Sequence, residues 1–287
     1  MSAPLPAPLT ARVAVLGHVE WIEFAPVDHV PGPGEIVHAR DPFALPAGGG
    51  TVAAVQAARL GADTLFLTAV GGDEVGERTR EELRGFGLDL HVAWRGGEPQ
   101  RRGWTHLDAA GERAITILGP RLVPHGDDAL PWSSLADCAA VFVTAGDPEA
   151  IRRARRARIL LATPRALPAL AQAEVEIDVL VGSAGDPGEQ VDLGALPHPP
   201  GFVVRTAGAA GGTWERIDGR SGAWDPAVLP GPVVDSYGCG DSFAGALTTA
   251  LGAGLAFEDA LDLAALAGAH CLTGRGPYGA QLRLTSP

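Results

Sequence analysis

Residues 235–255 read DSYGCGDSFAGALTTALGAGL. Gly238, Cys239 and Gly240 stand directly before an acid, Asp241, and the small and apolar residues that follow read as a helix. The start of a helix leaves backbone N–H groups unpaired and carries partial positive charge. Small residues just ahead of it let an anion come close to those groups. The stretch therefore has two readings. In one, Gly238, Cys239 and Gly240 form a cup for a phosphate or a developing oxyanion, and Asp241 is the base that takes a proton from an attacking hydroxyl. In the other, Asp241 is an N-cap after an ordinary loop. A carboxylate beside a positive helix end is expected to have a lowered pKa.

The surrounding chain supplies the frame for this turn. Short apolar strands, RVAVLG (12–17), DTLFLTAVG (63–71), AAVFVTAG (139–146), RILLATP (158–164), IDVLVGS (177–183) and GFVVRTAG (201–208), are separated by helical stretches. Among these, GGGTVAAVQAARLG (48–61) is a glycine turn feeding an alanine-rich helix, and DEVGERTREELRGFG (73–87) is a charged amphipathic helix. The alternation predicts an α/β fold: a doubly wound, mostly parallel sheet flanked by helices, in one unit spanning residues 1–287. Ligands of such sheets sit at the carboxyl ends of the strands. Residues 20–45 and 101–118 break the alternation and read as strand–turn–strand hairpins, with Pro-Gly-Pro-Gly and Asp-Ala-Ala-Gly turns. They are expected to form one small β flap, or lid, over the site. Its sheet edge would need cover, which a second subunit can give, so a homodimer through the lid is expected.

A chain of 287 residues, 46% hydrophobic, can bury a substantial core. The net charge of −12 argues against nucleic-acid and anionic-membrane partners. All 22 basic residues are arginine, so no chemistry here uses a lysine. The only basic cluster, residues 150–161, reads as a solvated arginine-rich helix face. Cys138, Cys239 and Cys271 show no CxxC or zinc spacing, and the histidines show none either. The first residues, MSAPLPAPLTAR, carry no basic or apolar leader pattern. A reduced, cytoplasmic protein is the expectation.

DSYGCGDSFAGAL is similar to the second signature of the ribokinase-like (PfkB) carbohydrate kinases, usually DTxGAGDxF, with Ser236 for Thr and Cys239 for Ala. Further resemblances run in the family's order along nearly the whole chain. PGPGE (31–35) looks like its first hairpin, and PAGGGTVAAVQAARLG like its sugar-contacting GGxxxN segment. AVGGDEVGE resembles VGxDxxG, and RTAGAAGG holds TxGxxG as Thr206, Gly208 and Gly211. The resemblance implies an ATP- and Mg²⁺-dependent kinase acting on a hydroxyl of a sugar or sugar-like compound. It gives Asp241 the role of base, and the backbone of Gly238, Cys239 and Gly240 that of anion hole. Thr206, Gly208 and Gly211, with Gly240, Gly274 and Gly276, are implied at the nucleotide. Asp235 occupies a position that helps bind a monovalent cation, such as K⁺, in relatives; a turn-capping role is the other reading. Gly48, Gly49 and Gly50 are implied at the sugar.

Three departures bear on substrate and metal. The family's NxxE motif, whose Glu organises Mg²⁺ through water, is matched by Ser183 and Asp186, an acid one carbon shorter. The Lys and Asn that ribokinases carry in the glycine segment are Gly49 and Val52. The Asn and Asp that their first strand presents to ribose are Glu20 and Ile22, which argues against ribose in that pose. Glu20 beside Trp21 and His18 suggests a polyol pocket with an aromatic wall. Arg102, Trp104 and His106 alternate with Arg101, Gly103 and Thr105, so the Arg102 face is expected to look into the pocket. Two alternatives stay open: a nucleoside kinase of the same family, and a catalytically weak sugar- or nucleotide-binding regulatory protein.

Overall fold

The computed structural model describes residues 7–284. Residues 1–6, on which the absence of a leader pattern partly rests, lie outside the description. No helix among the described residues is long and apolar enough to cross a membrane.

The strands are β1 (Arg12–Leu16), β2 (Glu20–Pro26), β3 (Phe43–Ala47), β4 (Asp63–Gly71), β5 (Asp89–Arg95), β6 (Arg102–Leu107) and β7 (Arg113–Leu118), then β8 (Ala140–Val143), β9 (Ile159–Ala162), β10 (Val179–Ser183), β11 (Phe202–Thr206), β12 (Gly212–Arg216) and β13 (Ser221–Trp224). The helices are α1 (Gly49–Arg59), α2 (Glu74–Arg84), α3 (Pro148–Ala154), α4 (Leu167–Ala173), α5 (Cys239–Gly252) and α6 (Phe257–Cys271). Nine strands form one sheet in the order β13-β12-β11-β10-β9-β8-β1-β4-β5. From β11 to β5 every pairing is parallel, and β12 and β13 close the far edge antiparallel.

Side chains of a strand alternate between faces, and β1 shows what that does here. Val13 and Val15 enter an apolar core shared with α1, α5 and α6; Ala14 and Leu16 enter a second one shared with α3 and α4. A strand buried on both faces must be apolar throughout, which is why RVAVL does not alternate with polar residues. The sheet is therefore wound on both sides, as the sequence predicts.

β3, β2, β6 and β7 form a separate four-stranded sheet in that order. Residues 20–45 and 101–118 thus meet in one layer through the parallel pair β2–β6. The first segment is not a tight hairpin: residues 27–42 form a long connection, whose Pro-Gly-Pro-Gly makes only a local turn. Ile22 and Phe24 on one face pack with Val52 of α1 and Tyr237. Trp21, on the other, lies under the Arg78 guanidinium of α2, 4.5 Å from its ring centre. The aromatic wall expected of Trp21 is therefore absent: strand alternation turns it to the face opposite Glu20.

The arginine-rich stretch is solvated only in part: Arg152 on α3 and Arg156 just beyond it are exposed. α3 has only seven residues. Beyond it, Arg155 bonds Asp178 and three carbonyls, and Arg158 bonds the Gly252 carbonyl. These arginines staple loops together.

Candidate active site

α1 and α5 both begin at the carboxyl end of the large sheet and lie against each other. Gly245 sits so close to Ala53 that a Cβ on it would stand 2.4 Å from the Ala53 carbonyl oxygen. Gly238 precedes α5 with φ 83°, a left-handed conformation that glycine adopts without strain, and no side chain caps the helix start. Gly48 precedes α1 with φ 87°, also without a side-chain cap. Two positive helix ends therefore converge. Asp241 lies in the first turn of α5, and a Cβ on Gly49 would come 2.8 Å from its Oδ1.

Asp241 is half-buried, and its pKa is raised to about 7. Burial is the main cause, followed by the negative charge of Glu189 and, less, of Glu20; Arg113 and Arg165 act in the opposite sense. The lowered pKa expected from the helix end is thus overturned. Desolvation and neighbouring carboxylates outweigh a helix dipole that acts only over one turn. Cys239, the first residue of α5, has its thiol pKa raised by burial, so it stays neutral and leaves the anion cup to backbone N–H groups.

Asp235 is 1% exposed and ties two loops together. One oxygen accepts the Tyr237 N–H at 2.8 Å and the other the Gly276 N–H at 2.9 Å. Burial raises its pKa against these hydrogen bonds. Gly276 has φ 61° and abuts the Phe43 ring; a Cβ on Gly274 would stand 2.3 Å from the Ala280 nitrogen. Thr206 ends β11. Gly208 (φ 56°) and Gly211 (φ 76°) bound a single 3₁₀ turn, and only the first of the two faces open space. Gly211 lies in the turn that brings β12 back along β11, and a Cβ on it would meet the Trp224 carbonyl oxygen at the end of β13 at 2.0 Å.

On the side where the sequence resemblance implies the sugar, Glu20 is 6% exposed. Its Oε1 accepts from Arg101 Nε at 2.5 Å and lies 3.7 Å from His18 Nε2. Parallel pairing sets Trp21 opposite Arg102, so Arg101 falls beside Glu20 and shares its face. Arg102 projects the other way and pairs with Glu23 on the half-exposed face with Trp104 and His106. The register thus puts Arg101, not Arg102, on the inner side. Gln100 fixes this register by accepting from Gly71 N–H and donating to the Val19 carbonyl. His18 contacts Thr144 Oγ1 at 3.4 Å, and its pKa is pushed well down, by burial first and then by Arg121, Arg101 and Arg165. Gly50 packs on the Gly17 and His18 backbone, and Gly48 against Glu20 and His18.

The acid near the expected metal position is double. Asp186 pairs with Arg165 and accepts the Gly188 N–H at 2.8 Å. Glu189 accepts the Ser183 N–H at 2.6 Å and lies 3.1 Å from Arg165 Nε. Glu189 is the more buried of the two, and its charge is felt at Asp241. Sequence spacing points only to Asp186; Glu189 is found because the chain turns back at Pro187. Among the described residues no group of three or more His, Cys, Asp or Glu forms a ready metal cage. Two carboxylates side by side still suit Mg²⁺, which binds with one or two acids plus substrate phosphates.

The pfkB family carbohydrate kinase model matches residues 10–160 and 169–282. The chain belongs to that family, whose members are phosphotransferases with an alcohol acceptor. A ribokinase from Staphylococcus aureus is 27% identical over 113 residues, a stretch covering 39% of this chain and 37% of that protein. The match thus spans little more than a third of the curated relative. Ribokinase from Thermotoga maritima superposes with a TM-score of 0.74 at 20% identity, covering 93% of this chain and 94% of that one. Arabidopsis thaliana ribokinase, solved with ribose and ATP, gives 0.72 at 20% identity over 93% and 94%. At these identities the two structures establish likeness of fold.

Proposed function

We propose that the chain is an ATP-dependent kinase that phosphorylates a hydroxyl of a sugar or sugar-like molecule, with Asp241 as the base. The observation that carries this reading is the placement of Asp241 where two uncapped helix starts meet, with open space beside Gly240. The acceptor hydroxyl lies between Asp241 and the γ-phosphate of ATP. Asp241 takes its proton late in a loose transition state. The N–H groups at Gly238, Cys239 and Gly240 receive the transferred phosphoryl oxygens, and a preformed cradle of this kind costs no reorganisation during reaction. Thr206, Gly208 and Gly211 line the nucleotide, and Gly274 and Gly276 close over it. Asp186 and Glu189 would hold Mg²⁺ through water, where it neutralises phosphate charge.

The four-stranded sheet is the lid, and the chain is one kinase unit. Gly48, Gly49 and Gly50 let the start of α1 pack on the backbone of Gly17 and His18 and against Asp241, which brings that helix end to the substrate, and Glu20 accepts from the substrate's hydroxyls. Asp235 sets the anion loop against the residue 274–276 turn; K⁺ beside it would be sensed as a rate difference between KCl and tetramethylammonium chloride. The half-exposed Trp104 and Leu118 support a homodimer through the lid. Three free cysteines, two of them buried, suit a cytoplasmic location.

The test is ADP release over pentoses, hexoses, sugar phosphates and nucleosides, repeated with Asp241→Asn. The reading requires acceptor-dependent ADP release that the substitution removes. Ligand-induced melting shifts without ADP release would make the chain a binding protein instead.

A further inference from the structure

Tyr237 stands between Asp235 and the glycines of the anion cup, and its backbone is committed to that loop. Its N–H donates to Asp235 Oδ1 at 2.8 Å, and its carbonyl accepts from the Cys271 thiol at 3.5 Å. The next residue is Gly238, where a Cβ would stand 2.9 Å from Pro277 and 3.0 Å from Val52. A loop hemmed in so closely moves only together with its neighbours.

The side chain of Tyr237 belongs to the other sheet. It is 6% exposed and sits in the apolar cluster of Ile22, Phe24, Ala47, Val52 and Leu107. Its ring meets that of Phe24 edge-on, with 5.1 Å between centres, and Phe24 stacks on Phe43 of β3 at 4.6 Å. Glu20, Ile22 and Phe24 alternate with Trp21 and Glu23 along β2, so Tyr237 packs on the face that carries Glu20. Its hydroxyl lies toward the same wall. Burial raises its pKa well above the ordinary phenol range and Glu20 and Asp241 add to this, while a hydrogen bond with the Gly48 N–H and the charge of Arg113 act against it.

The small sheet also holds the neighbouring Ser236. Arg113 of β7 donates to the Ser236 carbonyl at 2.7 Å and to its hydroxyl at 3.0 Å, and the Ser236 N–H donates to the Gly111 carbonyl. The arginine contacts are exposed to water, and all of these reach only the outer strand β7 and its turn. The Tyr237 contact is dry and reaches β2.

We propose that Tyr237 is a positioning residue that joins the anion cup to β2, so that a phosphoryl group held in the cup also fixes the strand that presents Glu20. This rests on the kinase reading above and adds a link between its two substrates. Such a coupling is reciprocal: an acceptor that steadies β2 also steadies the cup. The rival route runs through Phe43, whose ring lies 3.0 Å from where a Cβ on Gly276 would stand.

The experiment follows backbone hydrogen exchange of the full chain, with and without the Mg²⁺ complex of the β,γ-imido analogue of ATP, in peptides covering β2 and residues 235–241. Calorimetry gives the affinity for the analogue. In the wild type a saturating amount should slow exchange in β2 by about tenfold, within the usual range of coupling between sites. Tyr237→Ala should still protect residues 235–241 but leave β2 at its unliganded rate. Tyr237→Phe keeps the ring and should restore the protection of β2. Tyr237→Val, too short to reach Phe24, takes the place of the alanine variant if that fails to fold. Loss of stability alone would speed exchange in both states and leave the ratio between them in place. Protection of β2 that persists in the short variants assigns the link to Phe43 and overturns the proposal, as does a wild type that binds the analogue without slowing β2. A wild type that does not bind the analogue overturns the kinase reading. The proposed joint then stands if, in the unliganded chains, the short variants speed exchange in both β2 and residues 235–241 while Tyr237→Phe does not, and it falls otherwise.

Discussion

α1 and α5 start side by side, each after a glycine of positive φ and each without a side-chain cap. Beyond that they differ. A methyl group on Gly50 would lie 2.7 Å from the His18 carbonyl oxygen and 3.0 Å from the Gly17 backbone, whereas one on Gly240 would meet nothing within 4 Å. The first start is small so that backbone can touch backbone. The second is small so that something outside the chain can approach. Glycine patterns that look alike in sequence thus serve packing in one place and binding in the other, and only the space around them tells which.

Substitution of the base should have the largest effect. Asp241→Asn should lower kcat by roughly two to four orders of magnitude, the usual worth of a general base, with nucleotide affinity little changed. Steady-state turnover and nucleotide titration on the same folded mutant check this. A mutant keeping more than about a tenth of the activity would return Asp241 to the status of an N-cap.

The next effect is on pH. Only the ionised carboxylate accepts a proton, and its pKa is near 7, so kcat/KM should fall about tenfold per unit below pH 7 and level off above it. Linkage gives the matching stability effect. The folded chain holds the Asp241 proton to higher pH than the unfolded chain does. Its contribution is therefore fully present below the ordinary carboxylate pKa and is lost as pH rises toward about 7. Asp241→Asn should accordingly melt above wild type at pH 8 and close to it at pH 3.5. Equal melting at both would mean that the carboxylate is not held in an unfavourable setting.

The two helix starts can be separated directly. Gly50→Ala should cost about 1–3 kcal/mol of stability through overpacking, read from denaturant unfolding. Gly240→Ala should unfold like wild type but lose about tenfold or more in kcat, because its methyl occupies the phosphoryl cradle. If the two alanines behave alike, the distinction between packing and binding glycines fails.

The smallest change is expected in metal dependence. Asp186→Ala and Glu189→Gln should each raise the Mg²⁺ concentration for half-maximal rate by a few-fold, up to about tenfold. The more buried Glu189 should show the larger shift. A Mg²⁺ titration insensitive to both would remove them from the metal site.

Most of the large sheet was legible because buried parallel strands must be apolar, and β1, β4, β8, β9, β10 and β11 fall where such runs occur. β5, β12 and β13 were not read. They lie at or near the edges, only partly covered, and their alternating polar residues resemble loops. Asp241 and its glycines were legible since neighbours in sequence make that turn. Arg101 was not, since only the register of β6 on β2 brings it to Glu20. The pKa of Asp241 escaped as well: burial in the folded chain raises it most, and Glu189, far away in sequence and close only in the fold, adds to that.

The chain crosses between the two sheets four times: through residues 17–19, at Gly48, through residues 96–101 and through residues 119–139. The first two crossings press on each other at Gly50 and border Asp241. If the small sheet is the proposed lid, these two crossings would tie its movement to the wall beside the proposed base. Opening such a lid would draw on His18, whose ring lies against Gly49 beside Asp241. Covering the site and lining the proposed base would then be one mechanical event.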